Sequence, residues 1–353
     1  MELIADFAVN YGLFLAKAAT VVIAIGLCVT WIVSALAQAR AARQGESLQV
    51  NHVNERLDRM ADTLSHALLN DTERKARSKR RKVEAKQKAK AEKLGKRHES
   101  RRLFVLDFDG DIRASAVESL REAITAVLQV VEAEDEVLLR LESAGGMVHS
   151  YGLAASQLAR LRDAGVRLTI SVDRLAASGG YMMACVGERI VAAPFAIIGS
   201  IGVVAQIPNF NRLLKDKQID FELHTAGDHK RTLTVFGENT DEGRAKFREE
   251  LEQTHGLFKD FVQRYRPTLD IDRVATGEHW YGTRALELEL VDELATSDDL
   301  MLAAARDGRD VFTLEVQTRR SLLSRLTHQS RLAVHRGLVD SGLARVVHRS
   351  HEA

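Results

Sequence analysis

Two residues of this chain combine the chemistry and the surroundings that nucleophilic catalysis requires. Ser178 stands before a glycine pair in the segment AASGGY, and Lys230 follows later in the chain within the segment HKR. A serine hydroxyl attacks a carbonyl when a base takes its proton, and a lysine is such a base when its surroundings favour the neutral amine. Each residue has a common alternative role, because serines often cap helix N-termini and most lysines are solvated. As a pair, they suggest a hydrolase with a Ser/Lys dyad.

A second glycine pair, Gly145 and Gly146, lies in the segment ESAGGMV at the end of a predicted strand. Glycines let the backbone turn tightly and approach a ligand, and N–H groups at the start of a helix bind an oxyanion. Gly-Gly turns are common, so this pair is informative only together with Ser178 and Lys230. The three loops then predict a nucleophile, a base and an oxyanion site at strand ends.

The elements that must position these loops are strands that alternate with helices. Strands are predicted at 103–108, 136–142, 166–172, 189–195, 201–207 and 219–225. Helices are predicted at 116–133, 152–163, 179–186 and 210–217, and helical patterns dominate after Asp241. This alternation predicts an α/β fold with a mainly parallel sheet. We expect this α/β core to cover residues 103–309.

An uncharged and mostly apolar run at 18–39 follows a short N-terminal segment at 1–17. About 20 residues at a rise of about 1.5 Å cross the hydrocarbon layer of a membrane, which is about 30 Å thick. Trp31 suits an interface position, and Lys17 and Arg40 bracket the run. We predict a transmembrane helix at 18–39, with a cleaved signal peptide and a buried core helix as the alternatives.

Charge divides the rest of the chain unevenly. The net charge is +1, but residues 74–102 hold 15 Lys and Arg against three Glu, so the remainder is acidic. Residues 40–102 are predicted to be a charged, basic stalk that is solvated, touches membrane lipid or binds nucleic acid. The absence of aromatic residues from 74–102 argues against nucleic acid. The tail at 310–353 is basic and amphipathic, as in a surface helix or a helix that binds a membrane or partner.

Cysteine and histidine residues give no sign of a disulfide or a metal site. Cys28 lies in the apolar run and Cys185 in a predicted buried helix, so a disulfide between them is not expected. His224 and His229 are close in sequence but have no further ligands nearby. We therefore predict neither a metal nor a cofactor.

Four segments together resemble the S49 signal-peptide-peptidase family, and in particular its members of the bacterial inner membrane. They are AASGGYMMA, ESAGG, APFAIIGSIGVVAQIPNF and HTAGDHKRTLTVFGENT. The resemblance covers roughly residues 103–300 and the general plan of an N-terminal membrane anchor. It implies a ClpP/crotonase-type fold, which is a spiral of ββα units, and the activity of a serine peptidase.

The resemblance also implies roles for individual residues. Ser178 corresponds to the nucleophile, Lys230 to the general base, and Ser200 to a serine that orients the lysine. The oxyanion-hole amides fall on Gly146 and Gly179. Apolar neighbours of the site, such as Phe195, Ile197 and Ile198, are expected to bury the lysine.

One position departs from the family pattern. The family turn reads Ser-Pro-Gly-Gly, whereas Ala144 stands here in place of the proline. Proline pre-sets its backbone angle, so alanine leaves the turn freer. We expect a looser oxyanion hole that is still functional.

The family further implies peptide or protein substrates derived from membranes or the cell envelope, a homo-oligomer, and active sites that borrow residues from a neighbouring subunit. It favours a periplasmic peptidase domain, whereas Arg40 and Arg43 after the apolar run favour a cytoplasmic one. Two other functions remain open from the residues. One is a membrane-tethered scaffold without activity, and the other is a crotonase-like enzyme that acts on acyl-CoA.

Overall fold

The computed structural model describes residues 47–70, 101–227 and 230–317, together with Lys17 and parts of 72–86. The chain divides into two compact units, of which residues 48–316 form the larger. Nearly all of the other unit, and with it the transmembrane helix predicted at 18–39, lies outside the described residues. So do residues 87–100 of the basic stalk and most of the tail. Among the described helices, none has the length and apolar character needed to cross a membrane.

Strands and helices alternate along most of the described chain. The strands are β1 (Ser47–His52), β2 (Arg102–Gly110), β3 (Glu136–Ser143), β4 (Arg167–Val172), β5 (Leu175–Ala177), β6 (Arg189–Ala192), β7 (Ile197–Gly199), β8 (His279–Tyr281), β9 (Glu293–Leu294) and β10 (Asp310–Gln317). The helices are α1 (Val53–Leu68), α2 (Val117–Val130), α3 (Val148–Asp163), α4 (Gly179–Ala184), α5 (Asn211–Asp216), α6 (Asp241–Tyr265), α7 (Ile271–Val274), α8 (Gly282–Glu287) and α9 (Ser297–Arg306). The prediction of a mixed α/β fold is confirmed.

One sheet contains all ten of these strands. Its main path runs in the order β1-β10-β2-β3-β4-β6-β9, and a branch continues from β3 through β5 and β7 to β8. Neighbours pair in parallel from β10 to β9 and along β3-β5-β7, whereas β8 is antiparallel to β7. Strand β3 pairs with β4 over its first five residues and then with β5 at Ser143 opposite Ala176. This change of partner carries the chain out of the main sheet to the position of Ser178.

The central strands are apolar because helices cover one face and a second apolar layer covers part of the other. Leu106 and Phe108 of β2 and Leu139 and Leu141 of β3 are buried against α2, α3 and α4. Parallel strands covered on both faces have such continuous apolar runs, which explains why sequence analysis found β2, β3, β4 and β6.

The second layer extends the core beyond the boundaries expected from the sequence. Val53 of α1, Met301 of α9 and Val311 of β10 pack with β2 and β3 in a smaller apolar cluster. The Asn54 side chain donates to the Arg309 carbonyl and accepts from the Val311 N–H, both at 2.8 Å. The sheet therefore continues past residue 309, and residues 47–68, which we expected to be part of a stalk, pack on the domain. The polar sequence of residues 47–68 does not predict this packing, because only a few residues make the contact with the domain.

The predicted strands at 201–207 and 219–225 are wrong. Both segments are irregular, and β7 ends just before the first of them. Val204 of the first segment and Phe221 of the second are exposed, so no layer of the described chain covers these apolar side chains as it would in a buried strand. The helices predicted at 116–133, 152–163, 179–186 and 210–217 and after Asp241 are confirmed, although α3 begins four residues earlier.

Candidate active site

Ser178 lies at the turn between β5 and α4, as the sequence predicts. Its backbone has φ 54° and ψ −119°, a conformation that L-residues rarely adopt. Its N–H donates to the Gly199 carbonyl of β7 at 2.8 Å, and its carbonyl accepts from the Met182 N–H at 3.0 Å. The side chain makes no capping hydrogen bond, so the usual role of a serine at a helix start does not apply here. A strained turn with a free hydroxyl at a sheet edge is typical of a catalytic serine.

The turn at Gly145 and Gly146 approaches Ser178 closely. Gly145 has φ +85°, and a Cβ there would lie 2.6 Å from the Gly179 nitrogen and 2.8 Å from the Ser178 Cβ. A Cβ on Gly146 would lie 2.1 Å from the Ile112 carbonyl oxygen. Glycine is therefore required at both positions by contact, and at Gly145 by backbone angle as well.

The backbone N–H groups of two glycines, Gly146 and Gly179, lie beside Ser178 and have no hydrogen-bond partner among the described residues. Gly179 is the first residue of α4, where helix geometry leaves the N–H unpaired. Within the described residues, no hydrogen bond engages the N–H of Gly179 or of Gly146. Donors of this kind beside a serine have the geometry needed to stabilise an oxyanion.

Ser200 is adjacent to the carbonyl that holds Ser178. Gly199 accepts the Ser178 N–H, and Ser200 follows with φ 52° and donates its own N–H to the Glu278 carbonyl at 2.6 Å. The structure thus brings Ser178, Ser200, Gly146 and Gly179 to one edge of the β3-β5-β7 branch.

A cavity of about 80 Å³ opens beside Ser178, Gly146 and Gly179. Its other walls are mostly apolar and include Val148, Tyr151, Met182, Val203, Val204 and Phe258. An apolar cavity beside a serine suits an apolar substrate side chain.

Lys230 does not line this cavity. The Lys230 side chain is exposed, and the backbone N–H of this residue donates to the Gly227 carbonyl at 3.2 Å. Phe195, which we expected to help bury the lysine, is itself 84% exposed, although Ile198 is buried. The burial expected around Lys230 is therefore not present in the single chain.

Sequence analysis missed the residues that complete the cavity. Tyr151 belongs to a helix predicted to begin after it, and Thr254 and Phe258 belong to α6, far from the motifs. Phe258 follows the apolar spacing of an ordinary core helix, so no signal in the sequence marks it as part of a site. Tyr151 did offer one signal, since a buried tyrosine needs a partner for its hydroxyl.

In the part of the chain that the structure describes, no group of three or more His, Cys, Asp and Glu side chains is arranged to hold a metal ion. The sequence prediction of a site without metal or cofactor stays a prediction. Burial raises the pKa of the Cys185 thiol strongly, which keeps it protonated and unreactive.

A strained serine, free amides and an apolar cavity on an α/β sheet are features of the serine hydrolases. The chain also matches the family model described as peptidase family S49 N-terminal over residues 6–158 and that of peptidase family S49 over residues 160–311. The chain belongs to peptidase family S49 and is a peptidase.

Several relatives support the same assignment. The chain is 48% identical to the probable protease SohB of Haemophilus influenzae over 92% of this chain and 93% of that protein. It is 49% identical to the probable protease SohB of a Buchnera aphidicola strain, over 84% of this chain and 99% of the relative. Membership of a peptidase family favours the peptidase over the scaffold and the acyl-CoA enzyme.

Proposed function

We propose that the chain is a serine endopeptidase that uses Ser178 as nucleophile and Lys230 as general base. The observation that carries this proposal is the Ser178 turn. Its φ is positive, the serine side chain makes no capping hydrogen bond, and the N–H groups of Gly146 and Gly179 beside it have no partner among the described residues. A structural N-cap serine has neither the positive φ nor the uncapped side chain. The sheet order, with its short branch beyond β3, also supports a ClpP/crotonase-type fold for the chain.

The proposed reaction has two steps. Neutral Lys230 takes the proton of the Ser178 hydroxyl, Oγ attacks the peptide carbonyl, and the N–H groups of Gly146 and Gly179 stabilise the oxyanion. The lysine passes that proton to the amine that leaves, and an acyl-enzyme remains. A water molecule that gives its proton to Lys230 then attacks the ester, and Ser178 recovers its hydrogen as the acid product leaves.

In the single chain, Lys230 is exposed and does not line the cavity beside Ser178, so the proposed dyad points to a second copy of the chain. The segment that carries the lysine exposes apolar side chains: Val204, Ile207, Phe210, Leu213, Ile219, Phe221, Leu223 and Phe236. A large exposed apolar surface is typical of a subunit interface. We infer a homo-oligomer in which this segment packs on a neighbour, and in which Ser200 orients the lysine that arrives there.

The apolar run at 18–39 supports a single-pass anchor in a bacterial inner membrane, with membrane lipid around it. Family membership favours a peptidase domain in the periplasm, although Arg40 and Arg43 after the run favour the cytoplasm. The apolar cavity beside Ser178 suits peptides from membrane segments or envelope proteins. Both features fit substrates that leave or enter the membrane.

The test is hydrolysis of a fluorogenic peptide with an apolar residue before the cleaved bond, together with labelling by a fluorophosphonate probe that reacts with activated serines. Ser178→Ala and Lys230→Ala should each lower kcat at least about a thousandfold. Ser178→Ala should also abolish labelling, because the probe bonds to that oxygen.

Two variants serve as matched controls. Ser156→Ala removes an exposed serine of α3, and Lys217→Ala removes an exposed lysine at the end of α5. Both should keep labelling and kcat. Wild-type activity in Ser178→Ala or Lys230→Ala would disprove the dyad.

A further inference from the structure

Tyr151 in the first turns of α3 is completely buried, yet its hydroxyl lies within a polar group of atoms. The hydroxyl is 2.5 Å from Ser143 Oγ and 2.7 Å from the Asp111 carbonyl oxygen. Ser143 Oγ in turn accepts from the Gly145 N–H at 3.0 Å. A buried tyrosine thus connects to the turn that presents Gly146.

The directions of these hydrogen bonds follow from the groups present. The Asp111 carbonyl only accepts, so the single proton of Tyr151 points to it. The Ser143 hydroxyl accepts from the Gly145 N–H and donates to the Tyr151 oxygen at 2.5 Å, in preference to the Gly110 carbonyl, which is a second acceptor at 3.4 Å. The resulting chain runs from Gly145 through Ser143 and Tyr151 to Asp111, and each hydroxyl in it both donates and accepts.

The ring of Tyr151 touches the other half of the oxyanion site. A Cβ on Gly179 would lie 2.4 Å from the Tyr151 Cγ, so the glycine backbone rests on the ring. Gly110 leaves space for the hydroxyls of Tyr151 and Ser143 because it has no side chain. A Cβ at that position would lie 2.5 Å from both oxygens. One side chain therefore contacts the elements that position both proposed oxyanion donors.

These hydrogen bonds restrict the conformation of the turn, as a proline would by fixing its own φ. Ala144 has no ring to fix φ, so the conformation of the turn depends on contacts. The Ser143 side chain spans the turn to the Gly145 N–H, and Tyr151 holds that side chain in place. Burial raises the pKa of Tyr151, so the hydroxyl keeps its proton at neutral pH.

We propose that Tyr151 is a positioning residue that, through Ser143, holds the Gly145–Gly146 turn in the geometry that binds the oxyanion. This inference rests on the proposed function of Ser178 and of the two amides. Tyr151 acts through its hydroxyl and does not touch the reacting atoms. Its effect falls on the transition state, in which the oxyanion forms, more than on substrate binding.

Tyr151→Phe tests the hydroxyl while it keeps the ring. We expect kcat to fall about tenfold or more and KM to change less than about threefold, because small displacements of an oxyanion donor are costly. Ser143→Ala should give a similar loss, and the double variant should lose little more, because the two hydroxyls act as one unit. Tyr181→Phe is the matched control, since Tyr181 is also buried and donates to the Leu290 carbonyl at 2.9 Å, away from the turn.

Rescue separates positioning from stability. Adding Ala144→Pro to Tyr151→Phe should restore much of kcat, because the proline fixes the turn without the hydrogen bonds. Thermal unfolding of each variant shows whether it is folded at the assay temperature.

Wild-type kcat in a folded Tyr151→Phe variant, beside an inactive Ser178→Ala, would overturn the role of Tyr151 and leave the proposed function intact. An equal loss of kcat in Tyr181→Phe would also overturn it, since a general effect of lost core hydrogen bonds would then suffice. Hydrolysis by Ser178→Ala at the wild-type rate would overturn the proposed function and the role of Tyr151 with it.

Discussion

At the scale of single residues, the site depends on backbone positions more than on charged side chains. The Ser178 oxygen is presented by an unfavourable φ, and the Gly145 turn passes so close to it that no Cβ fits. Such strain persists only where the surroundings enforce it, as the hydrogen bond from Ser178 to Gly199 does.

Gly145→Ala should therefore impair catalysis by displacing the turn. The added methyl would meet the Gly179 nitrogen and the Ser178 Cβ, so we expect kcat to fall about a hundredfold. Gly165→Ala is the control, because Gly165 also has a positive φ, of +73°, but has open space around it. It should cost about 1 kcal/mol of unfolding free energy and leave kcat unchanged. Equal losses of kcat in the two variants would show that backbone strain alone explains the effect.

At the scale of elements, an ion pair fixes how β2 begins beside β3. Arg102 opens β2, and its guanidinium and backbone N–H donate to the carboxylate of Asp135, which is 3% exposed and directly precedes β3. Burial alone would raise the pKa of Asp135, but the hydrogen bonds from Arg102 and from the Glu132 N–H hold it below its usual range.

Asp135→Asn should lower the free energy of unfolding by about 1 to 3 kcal/mol at pH 7, because Arg102 then keeps only the exposed Glu132 carboxylate, 3.4 Å away, as a partner charge. The folded-state pKa of Asp135 is depressed, so its contribution is complete above the unfolded value near 3.9 and is lost as the pH falls through the folded value. Denaturant titrations from pH 7 to pH 3 should thus show a narrowing difference between wild type and variant. Glu134→Gln, which alters an exposed acid paired with Arg101, should change stability by less than about 1 kcal/mol at every pH.

Sequence patterns predicted the elements that carry continuous apolar runs and missed those whose fit depends on tertiary contact. Strands β2 and β3 were evident because both of their faces are covered. The attachment of α1 rests on Val53 and on the Asn54 amide, which no periodicity reveals. Likewise, Ser178 and Gly145 follow from motif composition, whereas the role of Tyr151 follows from contacts between separate loops.

At the scale of the whole molecule, the exposed position of Lys230 leads to the proposal that a second subunit completes the dyad. If Ser178 of one copy meets Lys230 of another, two inactive variants complement each other. Mixing Ser178→Ala with Lys230→Ala under conditions that exchange subunits should restore roughly a quarter of wild-type activity in a cyclic oligomer, since both intact residues meet at one site in four.

The mixture is compared with each variant alone and with a mixture that contains Lys217→Ala in place of Lys230→Ala. Size-exclusion chromatography of the same samples reports the oligomer. Full inactivity of the first mixture, in oligomers shown to exchange, would mean that serine and lysine belong to one chain.

The order of strands in the sheet has a consequence for the synthesis of this peptidase. β10 pairs with β2 at Asp310 opposite Arg102, about two hundred residues later in the chain. A ribosome that adds about 5 to 20 residues per second needs roughly 10 to 40 s to make that distance, and such non-local pairings also form slowly. Until β10 emerges, β2 has an open edge and the sheet from which the β3-β5-β7 branch extends is incomplete. We expect the nascent chain to stay inactive until β10 has paired with β2.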